Sequence, residues 1–228
     1  MCGRYTHLLT WAQLVALYRL TADLIPPNEF GPRYNVAPTQ KAPVVRERQG
    51  QQRELVMLRW GLIPFWAGDA KIAYKTINAR AEAIARTPAF REAWKARRCL
   101  IPTSGFYEWL KTPQGKQPYL IGFKDQRPFS LGGLWESWRD RASGEKIETY
   151  TIITTAPNEV AGKIHNRMPL IIDPADFDRW LTATAPPADL LRPYPGDEME
   201  AYPVSKAVNS PAKDEAGMIE RVDIPQLS

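Results

Sequence analysis

Residues 1–6 read MCGRYT, which places a cysteine directly after the first methionine. A second residue this small permits removal of Met1, and Cys2 then carries an α-amine and a thiol on adjacent carbons. An unperturbed α-amine titrates at about 7.7–8.0 and a cysteine thiol at about 8.5, so both are partly deprotonated near neutrality. An aldehyde meets the amine first and gives an imine. Sulfur then adds to the same carbon and closes a five-membered thiazolidine. The same terminus suits an N-terminal nucleophile for acyl transfer, with the amine activating the thiol. An early cysteine with no role fits these six residues equally well.

Further along, SGFYEWL (104–110) reads as a strand, with Phe106, Glu108 and Leu110 on one face and Tyr107 and Trp109 on the other. A carboxylate between apolar neighbours on a core face loses solvation and its pKa rises, which suits a general acid or base; on an exposed edge it does nothing of the kind. His165, in KIHNRMP, is one of only two histidines. It follows an expected short helix, where it is either a C-terminal cap or a proton shuttle. Asn78 in KTINARAEAI reads as the N-cap of a helical run. Arg80 then falls in the first helical turn, where a lone cation opposes the helix dipole unless an anion is brought to it. Trp66, in the loop WGLIPFWAGD, serves either as a packing anchor or as an exposed ring for stacking on a base.

Positioning these groups takes a folded chain of 228 residues with 44% hydrophobic and 11% aromatic content, which excludes a disordered class. No apolar run is long enough to span a membrane and no secretory leader is evident, so a cytoplasmic, reducing setting is expected. Cys2 and Cys99 lack metal-ligand spacing, so neither metal nor cofactor is expected, and Cys99 is expected to pack as a small hydrophobe. Charge is unevenly spread. Residues 1–167 hold 25 basic and 14 acidic side chains, residues 168–228 hold 5 and 11, and arginine exceeds lysine 19 to 11. A basic, arginine-rich body is consistent with a nucleic-acid partner.

The pattern predicts a short helix capped by Thr10 and a proline-rich loop over 26–40. A hairpin of APVVRER and RELVMLRW around QGQQ follows, then an ordered loop over 61–76 and two helical pieces divided by Pro88. From residue 98 the runs RCLIP, GFYEWLK, PYLIGFK, FSLGGLWESW and IETYTIITT read as strands. APNEVAGKIH reads as a short helix, DPADFDRWLTAT as a helix with Pro174 in its first turn, and MEAYPVSKAVNS as a last strand and loop. With no repeat and no linker, residues 1–228 are expected to form a single α+β domain, built on a curved, mostly antiparallel sheet or partial β-barrel flanked by helices.

Seven segments in this order, MCGRYT, RYNVAP, WGLIPFW, INARAE, SGFYEW, HNRMP and YPVSKAVN, resemble the SOS-response-associated peptidase (SRAP) family of abasic-site sensors over about residues 2–209. The resemblance implies a monomer that binds single-stranded DNA containing an abasic site, including sites near a junction with duplex. It implies a covalent link from Cys2 to the ring-opened sugar, whose aldehyde is what an amine and thiol on adjacent carbons trap. By the same resemblance Cys2 is the nucleophile, Glu108 and His165 move protons, and Asn78 holds the amine or the sugar. Arg80 and Arg167 contact phosphates, Arg4 lines the site, Pro38 and Trp66 wedge or stack against bases with Phe65 as a stand-in, and Thr154 hydrogen-bonds nearby. The chemistry is lyase-like, and the family name adds self-removal of Met1 as a peptidase reaction. Two other classes stand beside this one. An N-terminal-nucleophile hydrolase would turn over a peptide or amide without an aldehyde. A passive single-strand binder would lose affinity steeply with salt and survive loss of Cys2 without forming any adduct.

Overall fold

The structure is a computed structural model that describes residues 2–21, 31–48 and 52–223. Part of the expected proline-rich loop (26–30) and most of the QGQQ turn lie outside the described residues. In chain order the strands are β1 (Arg4–His7), β2 (Arg33–Val36), β3 (Lys41–Arg48), β4 (Gln52–Trp60), β5 (Asn78–Arg80), β6 (Arg98–Thr103) and β7 (Gly105–Thr112). There follow β8 (Gly115–Phe123), β9 (Phe129–Arg139), β10 (Lys146–Thr155), β11 (Met168–Pro169), β12 (Ile171–Ile172) and β13 (Met199–Pro203). The helices are α1 (Trp11–Tyr18), α2 (Arg91–Ala96) and α3 (Phe177–Thr182).

One sheet runs β13-β8-β7-β1-β2. The other runs β10-β4-β3-β6-β9, and β9 pairs back onto β10, so these five strands close on themselves. Almost every pairing is antiparallel; the exceptions are β4 and β5, which lie parallel to β10. The α+β class with a partial barrel is borne out. Gly133 marks the closure: a Cβ there would sit 2.5 Å from both Ile101 Cδ1 and the Thr151 carbonyl. Only glycine lets β9 approach both of its neighbours this closely.

Among the described residues two large clusters make up most of the interior, beside two smaller ones around Trp138 and Tyr107. Cys2, Tyr5, Trp60, Cys99, Phe106 and Tyr150 belong to one that draws on both sheets, and Cys99 packs there as expected. The helices supply the other, with Tyr18 of α1 stacked on Phe177 of α3 and Trp94 of α2 tilted against Trp180. Thr10 and Gln13 form a reciprocal capping box at the start of α1, a device worth about 1 kcal/mol. Arg98, buried in β6, donates to the Trp94 and Lys95 carbonyls ending α2 and to the Trp180 and Ala183 carbonyls ending α3. A single guanidinium thus satisfies the open ends of two helices.

Several expectations are corrected. RYNV, placed in a loop, is the edge strand β2. Asn78 is no N-cap and Arg80 is not in a helix: both lie in β5, whose pairing with Ile152–Thr154 of β10 outweighs the local helical propensity of NARAEAIA. A 3₁₀ turn, Ala81–Ala83, follows, and the helical piece beyond Pro88 shrinks to the six residues of α2. APNEVAGKIH likewise contributes only the 3₁₀ turn Ala161–Lys163.

His7 is almost fully buried, and burial, with the Arg33 charge adding to it, lowers its pKa to about 4. Below its ordinary value of 6.5 the unfolded chain takes up a proton that the folded one refuses until about pH 4. His7 should therefore remove about 3 kcal/mol of stability as pH falls through that window. Urea unfolding of wild type and His7→Phe at a series of pH values checks this, and equal slopes would refute it.

Candidate active site

The register of β1 on β7 (Arg4↔Tyr107, Tyr5↔Phe106) carries the start of the chain toward Glu108. Cys2 is fully buried there, and its carbonyl accepts a hydrogen bond from Asn78 Nδ2 at 2.9 Å. Because β5 is pinned along β10, Asn78 is held at the spot where it reaches β1. Its Oδ1 is buried and accepts no hydrogen bond among the described residues. An acceptor left so costs about 1–3 kcal/mol.

Glu108 is buried, with 2% exposure, which settles the choice between a core face and an exposed edge. Burial raises its carboxyl to about 7, against the opposing pull of the amino terminus. The charge of the amino terminus, carried in this structure by Met1, also acts on Cys2 and on His165, and the Glu108 charge acts on the Cys2 thiol. The Cys2 thiol is driven far above its usual range, first by burial and then by the Glu108 charge. It rests as a neutral thiol and needs a base at the moment it reacts.

His165 follows the 3₁₀ turn Ala161–Lys163 and is half-buried. Its Nδ1 accepts the Arg167 backbone N–H at 3.1 Å. The neutral ring therefore carries its proton on Nε2 and presents a donor. Burial, then the amino-terminal charge, lowers its pKa and keeps it neutral. A raised carboxyl and a neutral imidazole at one reactive terminus are the components of proton transfer in both directions.

Around this centre Arg80 ends β5, exposed, opposite Thr154 of β10. Thr154 is buried, and its carbonyl and hydroxyl oxygens accept from Arg167. Arg4, expected to line the site, donates to Asn35 Oδ1 at 3.0 Å and to the Val208 and Asn209 carbonyls, and so ties β1 to the chain's last segments. Pro38 is half-buried in the turn between β2 and β3. Trp66 is 44% exposed and Phe65 56%, on a loop held by the Thr76 hydroxyl on the Leu62 carbonyl (2.6 Å) and by Trp138 Nε1 on the Ala67 carbonyl (2.7 Å). That anchoring leaves Trp66 as a presented ring rather than a packing anchor. No hydrogen bond among the described residues links Pro38 or Trp66 to the Cys2 centre.

This arrangement belongs to a known group, since the sequence profile of the SOS response associated peptidase (SRAP) family matches residues 1–211. The chain is a member of the SRAP family. Among its SRAP relatives, "Abasic site processing protein YoqW" of Bacillus subtilis is 41% identical over 225 residues, 96% of this chain and 99% of the relative. "Abasic site processing protein HMCES" of Xenopus tropicalis is 30% identical over 214 residues, 80% of this chain and 64% of the relative. A crystal structure of a Bacteroides thetaiotaomicron protein superposes with a TM-score of 0.86 at 29% identity, covering 97% of this chain and all of that one. No described helix of this SRAP chain is long and apolar enough to cross a membrane.

Sequence reasoning missed Asn35, whose Nδ2 reaches the Ser210 and Lys213 carbonyls at 2.9 and 2.7 Å. It also missed Glu82, which chelates Arg167, and Asp214, which holds Arg33 and the Tyr34 and Asn35 backbone N–H groups. Their partners lie some 85 to 181 positions away in sequence, and no local pattern marks them.

Proposed function

We propose that this chain, freed of Met1, is an abasic-site sensor that binds single-stranded DNA and links itself to the lesion through Cys2. The single observation that carries the reading is the meeting, at the residue that heads the chain once Met1 is removed, of Asn78, which donates to the Cys2 carbonyl, and a Glu108 raised to about 7, whose charge acts on the Cys2 thiol, with His165 under the same amino-terminal charge as both. The relatives' names point to the same lesion. The amine adds to the aldehyde carbon, C1′, of the opened sugar, with the Asn78 Oδ1 acceptor orienting its N–H. The resulting hydroxyl leaves as water when protonated by Glu108 in its acid form, with His165 Nε2–H as a hydrogen-bond donor to it, and an iminium and the Glu108 carboxylate remain. Sulfur of the thiol then adds to the same carbon, the C=N electron pair returns to nitrogen, and the thiol proton passes to the Glu108 carboxylate and restores its acid form. Protein and DNA join with loss of one water, and every proton is accounted for.

A thiol held neutral favours this order, amine first and sulfur second. Thiazolidine closure removes the iminium that would otherwise promote β-elimination of the strand, so the lesion is shielded. Arg80 and Arg167 supply phosphate contacts, and Trp66 with Phe65 supplies stacking for unpaired bases. Self-removal of Met1 draws on the same acid and base.

Intact-protein mass spectrometry before and after incubation with a single-stranded oligonucleotide carrying one abasic site tests the reading. The expected product is des-Met1 protein plus DNA minus one water, stable to heat without borohydride. A des-Met1 protein that forms no adduct would move the chain to the hydrolase or the passive-binder class.

A further inference from the structure

The outward edge of Arg167 is already taken. Glu82, in the 3₁₀ turn after β5, receives Nη1 at 2.6 Å and Nη2 at 3.0 Å in a two-pronged pair. From the inner side Nη2 also donates to Thr154, a buried residue of β10. The guanidinium is therefore oriented from within the protein by Thr154 and from outside by a carboxylate that is 59% exposed, against 16% for Arg167 itself. Arg80, also exposed, adds its charge to the same place, and Arg167 and Arg80 together hold the Glu82 carboxyl below its usual range.

We infer that Glu82 occupies, in the DNA-free protein, the subsite of one backbone phosphodiester on the Arg80–Arg167 pair, and that strand binding exchanges carboxylate for phosphate there. The inference rests on the proposed DNA-binding function and extends it. The two anions match in charge and in the planar fork they offer to arginine. Thr154 keeps the guanidinium aimed when Glu82 leaves, so the exchange needs no rearrangement of β10. Glu82 is attached to the chain two residues from Arg80, which gives it a high effective concentration at the fork. A free phosphate or a single loose contact competes poorly with it. A strand already held at the Cys2 centre and at the stacking loop competes well. Glu82 thereby ties firm phosphate binding to a strand that is seated in the whole site.

The test is fluorescence anisotropy of a short undamaged single-stranded oligonucleotide over a salt series, with wild type, Glu82→Gln, Arg167→Gln and the double variant. Glu82→Gln should bind several-fold tighter at low salt, and its plot of log K against log salt should be steeper, by as much as about 0.7 for one added phosphate contact. The gain should vanish when Arg167 is also replaced. Weaker binding by Glu82→Gln would overturn the inference and make Glu82 a positioning residue for Arg167. An equal gain in the Arg167→Gln background would also overturn it, since removal of any negative charge would then suffice. If wild type does not bind the strand at all, the functional reading fails and takes this inference with it; if wild type binds and Glu82→Gln gains nothing, only the inference fails. Circular dichroism on each variant confirms the fold, which an exposed side chain does not support.

Discussion

Glu108→Gln should slow formation of the heat-stable adduct by roughly 10²–10⁴-fold, the usual worth of a positioned acid–base group, while making the protein more stable at neutral pH. Both effects come from one cause. Burial holds the carboxyl at about 7 instead of its ordinary 4.5. Between those values the folded chain keeps a proton that the unfolded chain has released, so stability falls as pH rises through the window. Above pH 7 the loss amounts to about 3 kcal/mol. Glutamine keeps the shape, carries no charge and avoids that loss. His7 has the opposite slope between about pH 4 and 6.5. The two nearly offset in wild type, and Glu108→Gln should uncover a stability that rises with pH. Quenched-flow or gel assays of adduct formation across pH 5–9 and urea melts at matching pH decide it. An unchanged rate, or an unchanged pH slope, defeats the assignment.

Cys2→Ala should remove the heat-stable adduct altogether and leave noncovalent DNA binding within a few-fold of wild type. Alanine is small enough to allow loss of Met1, so the amine persists and only the sulfur is missing. The imine then has no internal partner to close on. It hydrolyses, or it acts as an electron sink for β-elimination at the 3′ side of the lesion. The expected readout is a covalent species seen only after borohydride reduction, together with nicked strand that wild type does not produce. A heat-stable adduct with Cys2→Ala would place the nucleophile elsewhere in the chain.

The strands from residue 98 to 155 were legible because each is a run rich in apolar, aromatic and β-branched residues, and two of the turns between them, TPQGKQ and RASGEK, contain glycine. Glu108 was half legible: its phase in SGFYEWL groups it with Phe106 and Leu110, but Tyr107 on the opposite face is just as buried, so only the tertiary packing settles that Glu108 is shielded from water. β2 and β5 were not. They are four and three residues long and owe their form to partners far away in sequence. Asn78 shows the cost of reading locally, since the residue that caps a helix well also ends a short strand well. Cys2 and His165 were singled out from their types alone, but the neutral thiol and the Nε2–H form of the ring depend on burial and on one backbone N–H. Arg4 and Arg167 looked like free cations in the sequence. Their occupancy by Asn35, the chain's last segments and Glu82 is a tertiary fact.

The reactive terminus is not a loose tail. β1 lies in the interior of a sheet, between β2 and β7, and Arg4 fastens it to the segment 208–209 near the far end of the chain. In the proposed adduct of Cys2 with DNA, a motor that hauls on the strand would load β1 along its length. Ladders on both sides and the Arg4 anchor then resist in shear, many bonds at once, rather than peeling one by one. Release under tension thus runs through unfolding of this sheet, at a rate set by its unfolding barrier. The fold proposed to shield a lesion chemically would on this account also be a mechanical stop on the strand.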